Sequence, residues 1–292
     1  MEQKKMSVIG KIWWVIYPAL LYFGVNLASQ LLVAVVVMVI GLTQGTIIPG
    51  TSPDTSFGSP LMTTIIYGST ILSGVVTITL GVLFMKRDNK RHGLVRDKLK
   101  RGTALSWVAI ILIAASLIWV SAGLTQLLAD YSPAHEETAQ MLAAMGREYY
   151  IVFAVIFAPL SEEIICRGLI FKRFRSFMGF IPAAVISGAV FGVMHGNIVQ
   201  GVYATLIGIV FAYIYEKKQS LFAPILAHFI VNGTNSALMY LPEDAALKFT
   251  EFYQGNYMLI VTIVAAVICV AGMFLLKKAS KEKPALQAVA DI

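Results

Sequence analysis

Charge is scarce in this 292-residue sequence. Asp, Glu, Lys and Arg make up 13% of it, against roughly 25% in a soluble globular domain. That shortage excludes an ordinary soluble domain, and the apolar 58% falls in runs long enough to cross a bilayer. Cysteine is nearly absent. Cys166 and Cys269 both fall in predicted spans, so no disulfide framework is encoded and nothing follows about redox compartment. The zinc-binding pattern His-Glu-x-x-His is missing. No internal repeat stands out, and an inverted repeat is what a transporter would carry. No segment reads as a second, soluble domain. The first apolar run is too long for a signal-peptide core and no small-residue cleavage site follows it, so it reads as a retained span.

What is present predicts an all-α, polytopic membrane protein of about eight spans, a single membrane domain over residues 1–292. The expected spans are Ile16–Leu42, Leu61–Met85, Thr103–Ala129, Tyr149–Phe171, Phe180–His195, Ile198–Tyr215, Leu221–Leu241 and Tyr257–Leu276. Trp13, Trp14 and Tyr17, around the start of the first, read as an interfacial aromatic belt. A polar tail fills 277–292. Eight spans put both termini on one side, and the positive-inside rule says which. Of 23 Lys and Arg, twenty lie in the segments assigned to the cytoplasm. Arg147 and Lys248 lie in the opposite loops, and Arg167 lies within a span. The net charge of +7 therefore reads as topology, not as a nucleic-acid surface. The Lys86–Arg101 segment, with eight basic residues, reads chiefly as a solvated cytoplasmic loop, with contact to anionic lipid as the alternative.

Ionisable residues inside a bilayer are costly and mark function by default. Of the sixteen acidic residues, only Glu162 and Glu163 fall inside predicted spans, with Arg167 one turn on. His195 and His228 lie in or at the ends of spans. Asn232 follows His228 by four residues, which puts both on one helical face, and Phe191 precedes His195 by four. Each placement has a plainer reading. Glu163 and Arg167 can be a buried ion pair that fixes packing, and His228 with Asn232 can be interhelical hydrogen bonding. Cys166, beside the acidic pair, reads as a small buried hydrophobe before a nucleophile. The combination favours a site, because three helices each contribute polar groups and almost none are spent elsewhere. At about 1.5 Å rise per residue, Glu162 and His228 lie about 14 and 10 Å from the cytoplasmic ends of their spans, and His195 about 22 Å. A fifth helix that starts near Ser176, or tilts, would level them around a cavity open to the cytoplasm.

Glu162-Glu163-x-x-x-Arg167, Phe191-x-x-x-His195 and His228-x-x-x-Asn232 together resemble the three motifs of the CPBP family, the CAAX proteases and bacteriocin-processing enzymes also called Abi. The resemblance covers about residues 148–241, the expected catalytic core. It implies an intramembrane endopeptidase of the glutamate-dependent type. By the resemblance, Glu162 is the general base that activates water with His195, and His228 and Asn232 stabilise the oxyanion. Glu163 and Arg167 are the supporting pair, with Phe191 packed on His195. It leaves zinc (Zn2+) open, with Glu162, His195 and His228 as the ligands and water in the fourth position; a directly activated water is the favoured form. The expected substrate is a peptide or lipid-modified protein at the cytoplasmic face of the plasma membrane, with the bilayer as the other partner and no nucleic acid. Two other functions fit parts of the pattern. A proton- or cation-coupled transporter would use the same residues as a relay, and a non-catalytic immunity or scaffold protein would keep the fold alone.

Overall fold

The structure is a computed structural model that describes residues 6–47, 54, 59–94, 103–128, 137, 140, 146–254 and 257–280. Among these residues there are nine helices and no strand: α1 Val8–Thr43, α2 Pro60–His92, α3 Ala104–Leu128, α4 Arg147–Arg175, α5 Phe180–Val193, α6 Ile198–Lys218, α7 Phe222–Met239, α8 Glu243–Gln254 and α9 Met258–Ala279. The chain is an all-α polytopic membrane protein. Six of the helices (α1, α2, α3, α4, α6 and α9) are long and apolar enough to cross a membrane. The fifth and seventh expected spans are represented by shorter helices, α5 of 14 residues and α7 of 18. The expected tail from 281 onward and the basic residues 96–101 lie outside the described residues.

Local chemistry sets the boundaries. Ser7 Oγ accepts from Gly10 N at 3.1 Å and starts α1. Ser59 does the same for α2, followed by Pro60 at the first helical position, where a missing N–H costs nothing. Gly93, at φ 62°, lets the chain leave α2 in the left-handed region. Asn197 Oδ1 accepts from Gln200 N at 2.8 Å and starts α6 two residues after His195. An unexpected helix, α8, occupies the segment read as a loop. Phe249 and Phe252 lie three apart on it and meet Trp119 of α3 at 6.3 and 6.0 Å between ring centroids, so an apolar stripe anchors it to the bundle.

The basic helix ends meet at one end of the bundle. Arg173, at the end of α4, is fully buried and pairs with Asp88 of α2 at 2.7 Å. It also donates to the Trp14 carbonyl and, at 2.7 Å, to Tyr17 Oη. Trp14 Nε1 donates to the same Asp88 at 3.3 Å. Lys218 at the end of α6 donates to Ser106 at the start of α3 at 2.9 Å. Two expectations need correcting. Residues Lys86–His92 are helix, not loop, and Asp88 is buried, because its carboxylate neutralises the guanidinium of Arg173. Trp14 is likewise a buried structural member rather than an exposed belt residue, while Trp13 stays 61% exposed.

At the centre, α5 lies close along α6. A Cβ on Gly192 would overlap Thr205 Oγ1 and the Gly201 carbonyl. A Cβ on Gly208 would come within 2.9 Å of Gly188 Cα and 3.1 Å of Arg167 Nη2. Small residues here bring the backbones together, as is general for helices packed in lipid.

Candidate active site

Helix α4 carries the acidic motif and is not uniform. Its residues Ile151–Phe157 and Ile164–Phe171 are π-helical, with an α-helical piece, Ala158–Glu163, between them. Such widened turns occur most often at functional sites. Ala158 N donates to the Phe153 carbonyl, five residues back. The next residue in that register, Pro159, has no N–H to offer Ala154. The Ala154 carbonyl instead accepts from Asn232 Nδ2 of α7 at 2.7 Å. The sequence feature that frees this carbonyl is Pro159, and Asn232 supplies the missing donor.

Behind the cavity lies a fully buried charge cluster. Arg167 Nη1 donates to Glu163 Oε1 at 2.8 Å, and both side chains are inaccessible. Arg167 Nη2 donates to the Gly208 carbonyl at 2.9 Å. The guanidinium is stacked over Phe191 at 4.6 Å and Phe211 at 5.4 Å. Glu163 Oε1 also accepts a hydrogen bond from His228 Nδ1 at 3.1 Å. A carboxylate held by Arg167 can only accept, so His228 carries hydrogen on Nδ1 and turns Nε2 to the cavity. That Nε2 lies 3.8 Å from Glu162 Oε2.

His195 is fixed from the other side. It lies just beyond the end of α5, and its Nδ1 contacts the Phe191 carbonyl at 2.7 Å. A carbonyl only accepts, so this nitrogen bears the hydrogen and Nε2 presents a lone pair. Phe191 meets the rings of both His195 and His228 edge-on, at 4.8 and 5.6 Å. One side chain thus spaces the two imidazoles while its neighbour on the guanidinium side is Arg167.

Glu162, Phe191, His195, His228 and Asn232 all line one cavity of about 150 Å³. Glu163 and Arg167 stand behind it. The structure therefore gathers the residues singled out in the sequence from α4, α5 with the turn that follows it, and α7. Sequence reading missed Tyr150, Phe153, Gln200, Tyr203 and Asn235, which line the same cavity. Asn235 had a legible signal, since it follows Asn232 by three on the same face. The aromatic residues had none, being indistinguishable from lipid-facing ones. Among the described residues no three His, Cys, Asp or Glu side chains gather as a metal site. Glu162, His195 and His228, the zinc ligands considered from the sequence, line one cavity without being drawn together as a metal site. Cys166 is not in the cavity. Its Sγ packs 3.6 Å from Met194 Sδ, and it is fully buried.

Of the two expected routes for levelling His195, the early start of the fifth helix is corrected. Helix α5 begins at Phe180, not near Ser176, with Gly179 as its cap. His195 joins the site because α5 is short and ends there. The level of the site is set nearer the far ends of α5 and α6, away from the basic ends of the bundle.

The model of the Type II CAAX prenyl endopeptidase Rce1-like family matches residues 144–234. The chain is 25% identical over 209 residues to the membrane-embedded CAAX protease MroQ of Staphylococcus aureus (strain USA300), covering 68% of this chain and 83% of that protein. It is 33% identical over 82 residues to YdiL of Bacillus subtilis (strain 168), a candidate membrane peptidase, covering 28% of this chain and 34% of YdiL. No solved structure matches the chain. The Rce1-like match contains every motif residue in the cavity, so over residues 144–234 the chain is similar to the CAAX prenyl endopeptidases, and over a longer stretch to a membrane-embedded CAAX protease.

Proposed function

We propose that the protein is an intramembrane endopeptidase that hydrolyses a peptide bond in a membrane-associated peptide or protein of the plasma membrane, using water activated by Glu162 and His195. The observation that carries this is the convergence of Glu162, His195, His228 and Asn232 on one cavity. The water sits between the Glu162 carboxylate and His195 Nε2, both of which accept hydrogen. As its oxygen attacks the scissile carbonyl carbon, its proton passes to this pair and negative charge develops on the carbonyl oxygen. Asn232 has one amide N–H engaged by Ala154 and a second free to donate to that oxyanion. His228, held through Nδ1 by Glu163, lies beside Glu162 in the same cavity and donates to the oxyanion only when Nε2 also carries hydrogen. Collapse of the tetrahedral intermediate expels the amine, which takes the proton held by Glu162. One water is consumed, and one carboxylic acid and one amine are formed.

Glu163 and Arg167 act through others. Their pair holds His228 Nδ1 and the backbone of α6, so the reacting groups keep their orientation. The test is turnover of a pool of membrane peptides by the purified chain in liposomes. Glu162→Gln should slow product formation by at least about 100-fold, the usual worth of a positioned base, with the protein still folded. Unchanged turnover would refute the proposal.

A further inference from the structure

The cavity faces a definite end of the bundle. Its lining residues come from the late part of α3 (Ser121), the early part of α4 (Tyr150, Phe153), the early part of α6 (Gln200, Tyr203) and the late part of α7 (Asn235). Glu162 and His228 are its innermost polar groups. These four helix parts meet at one end, where Arg147 lies over the Tyr240 ring at 5.5 Å and Thr70 Oγ1 meets Tyr149 Oη at 3.2 Å. The other end holds Arg173, Arg175, Lys217, Lys218, Lys277 and Lys278.

Packing distinguishes the two directions. From Glu162 toward the basic end, every residue from 161 to 173 is buried. Ile165, Leu169, Phe211, Ala223 and Ala227, which fill that side of the bundle, are each fully buried in one continuous core. In the opposite direction Tyr150, Phe153, Gln200, Tyr203 and Asn235 keep partial exposure among the described residues. The cavity is sealed toward the basic end. Of the fifteen Lys and Arg among the described residues, all but Arg147, Arg167 and Lys248 lie on that end's segments, and the positive-inside rule assigns such an end to the cytoplasm.

We infer that the active site is reached from the extracytoplasmic face, and that its substrate class is a peptide whose scissile bond is exposed there: the exported or outward-anchored stretch of a membrane peptide. This reverses the cytoplasmic opening expected from the sequence and disfavours cytoplasmic lipid-modified tails as substrates. The substrate class rests on the protease reading. The access direction does not.

Access can be measured without turnover. Gln200→Cys and Tyr150→Cys place thiols at the cavity mouth on two different helices, and Lys90→Cys, at an exposed position on α2, reports the basic end. The native thiols Cys166 and Cys269 are buried. Each variant is treated with a membrane-impermeant sulfonated maleimide in intact cells and in inverted vesicles, after monodisperse elution in detergent has shown folding. The mouth cysteines should label at least about 10-fold faster than Lys90→Cys in intact cells, with the order reversed in inverted vesicles. Labelling of the mouth cysteines from the same side as Lys90→Cys, or from neither side, would overturn the inference. If access is outward but Glu162→Gln leaves peptide processing unchanged, the protease reading fails and the access direction stands.

Discussion

Asn232 would do two jobs with one amide. One N–H bonds the carbonyl that Pro159 leaves without a donor, and in the proposed mechanism the other donates to the oxyanion. Asn232→Ala should therefore lower kcat by about 10²–10³, the usual cost of one oxyanion donor, while KM stays nearly constant. Steady-state kinetics on a defined substrate would check the split, because a merely structural loss would reduce the active fraction without this signature in titrated enzyme. Cys166 offers the contrast. It lies four residues after Glu162 in sequence but points into the core, against Met194. Cys166→Ala should keep turnover within about twofold and cost only the small packing term of a buried thiol; complete loss of turnover in folded protein would show a thiol mechanism. At this scale the sequence was highly legible. A charge inside an apolar run is conspicuous because it is expensive, and that cost pointed to Glu162, Glu163 and Arg167 directly. Asp88 escaped notice for the opposite reason: it sits among basic residues near a helix end, where an acid looks solvated until Arg173 is placed beside it.

At the scale of the element, the cluster of Glu163, Arg167 and His228 ties α4 to α7, and Arg167 also reaches α6. Removing one member of a buried ion pair strands the other, at a cost of about 3–5 kcal/mol. Arg167→Met should lower the thermal midpoint accordingly, and adding Glu163→Gln in the same chain should recover much of the loss, since the uncompensated charge is then gone. Thermal unfolding of both variants in one detergent would test this. Gly192 makes a separate prediction. Its Cβ has no room against Thr205 and the Gly201 carbonyl, so Gly192→Ala should destabilise the α5–α6 contact by about 1–3 kcal/mol. It should also misplace His195, which follows α5 by two residues. Helix existence was legible here from apolar run length and from caps such as Ser59 and Asn197. The π-helical turns of α4 were not, because they keep an apolar helix apolar and leave no periodic signature. Helix α8 was missed because two phenylalanines on a charged segment only declare a face once Trp119 is available to receive them.

For the whole molecule, the distribution of Lys and Arg along the chain is enough to give the bundle its two ends, and several of those residues gather in space around Asp88, Arg173 and Lys218. Which end the site faces could not be read in the same way. Depth along each helix was counted from the basic end, which makes the basic side look like the natural entrance. Only packing distinguishes a sealed side from an open one, and that depends on Ile165, Leu169 and Phe211 meeting between helices.

The most direct measurement compares peptides released by cells producing the wild-type chain with those from cells producing Glu162→Gln at equal membrane abundance. If Glu162 is the base of an intramembrane endopeptidase, a defined set of cleavage products should be present with the first and absent with the second, their uncleaved precursors accumulating in the membrane. Identical peptide products from the two would contradict that role for Glu162.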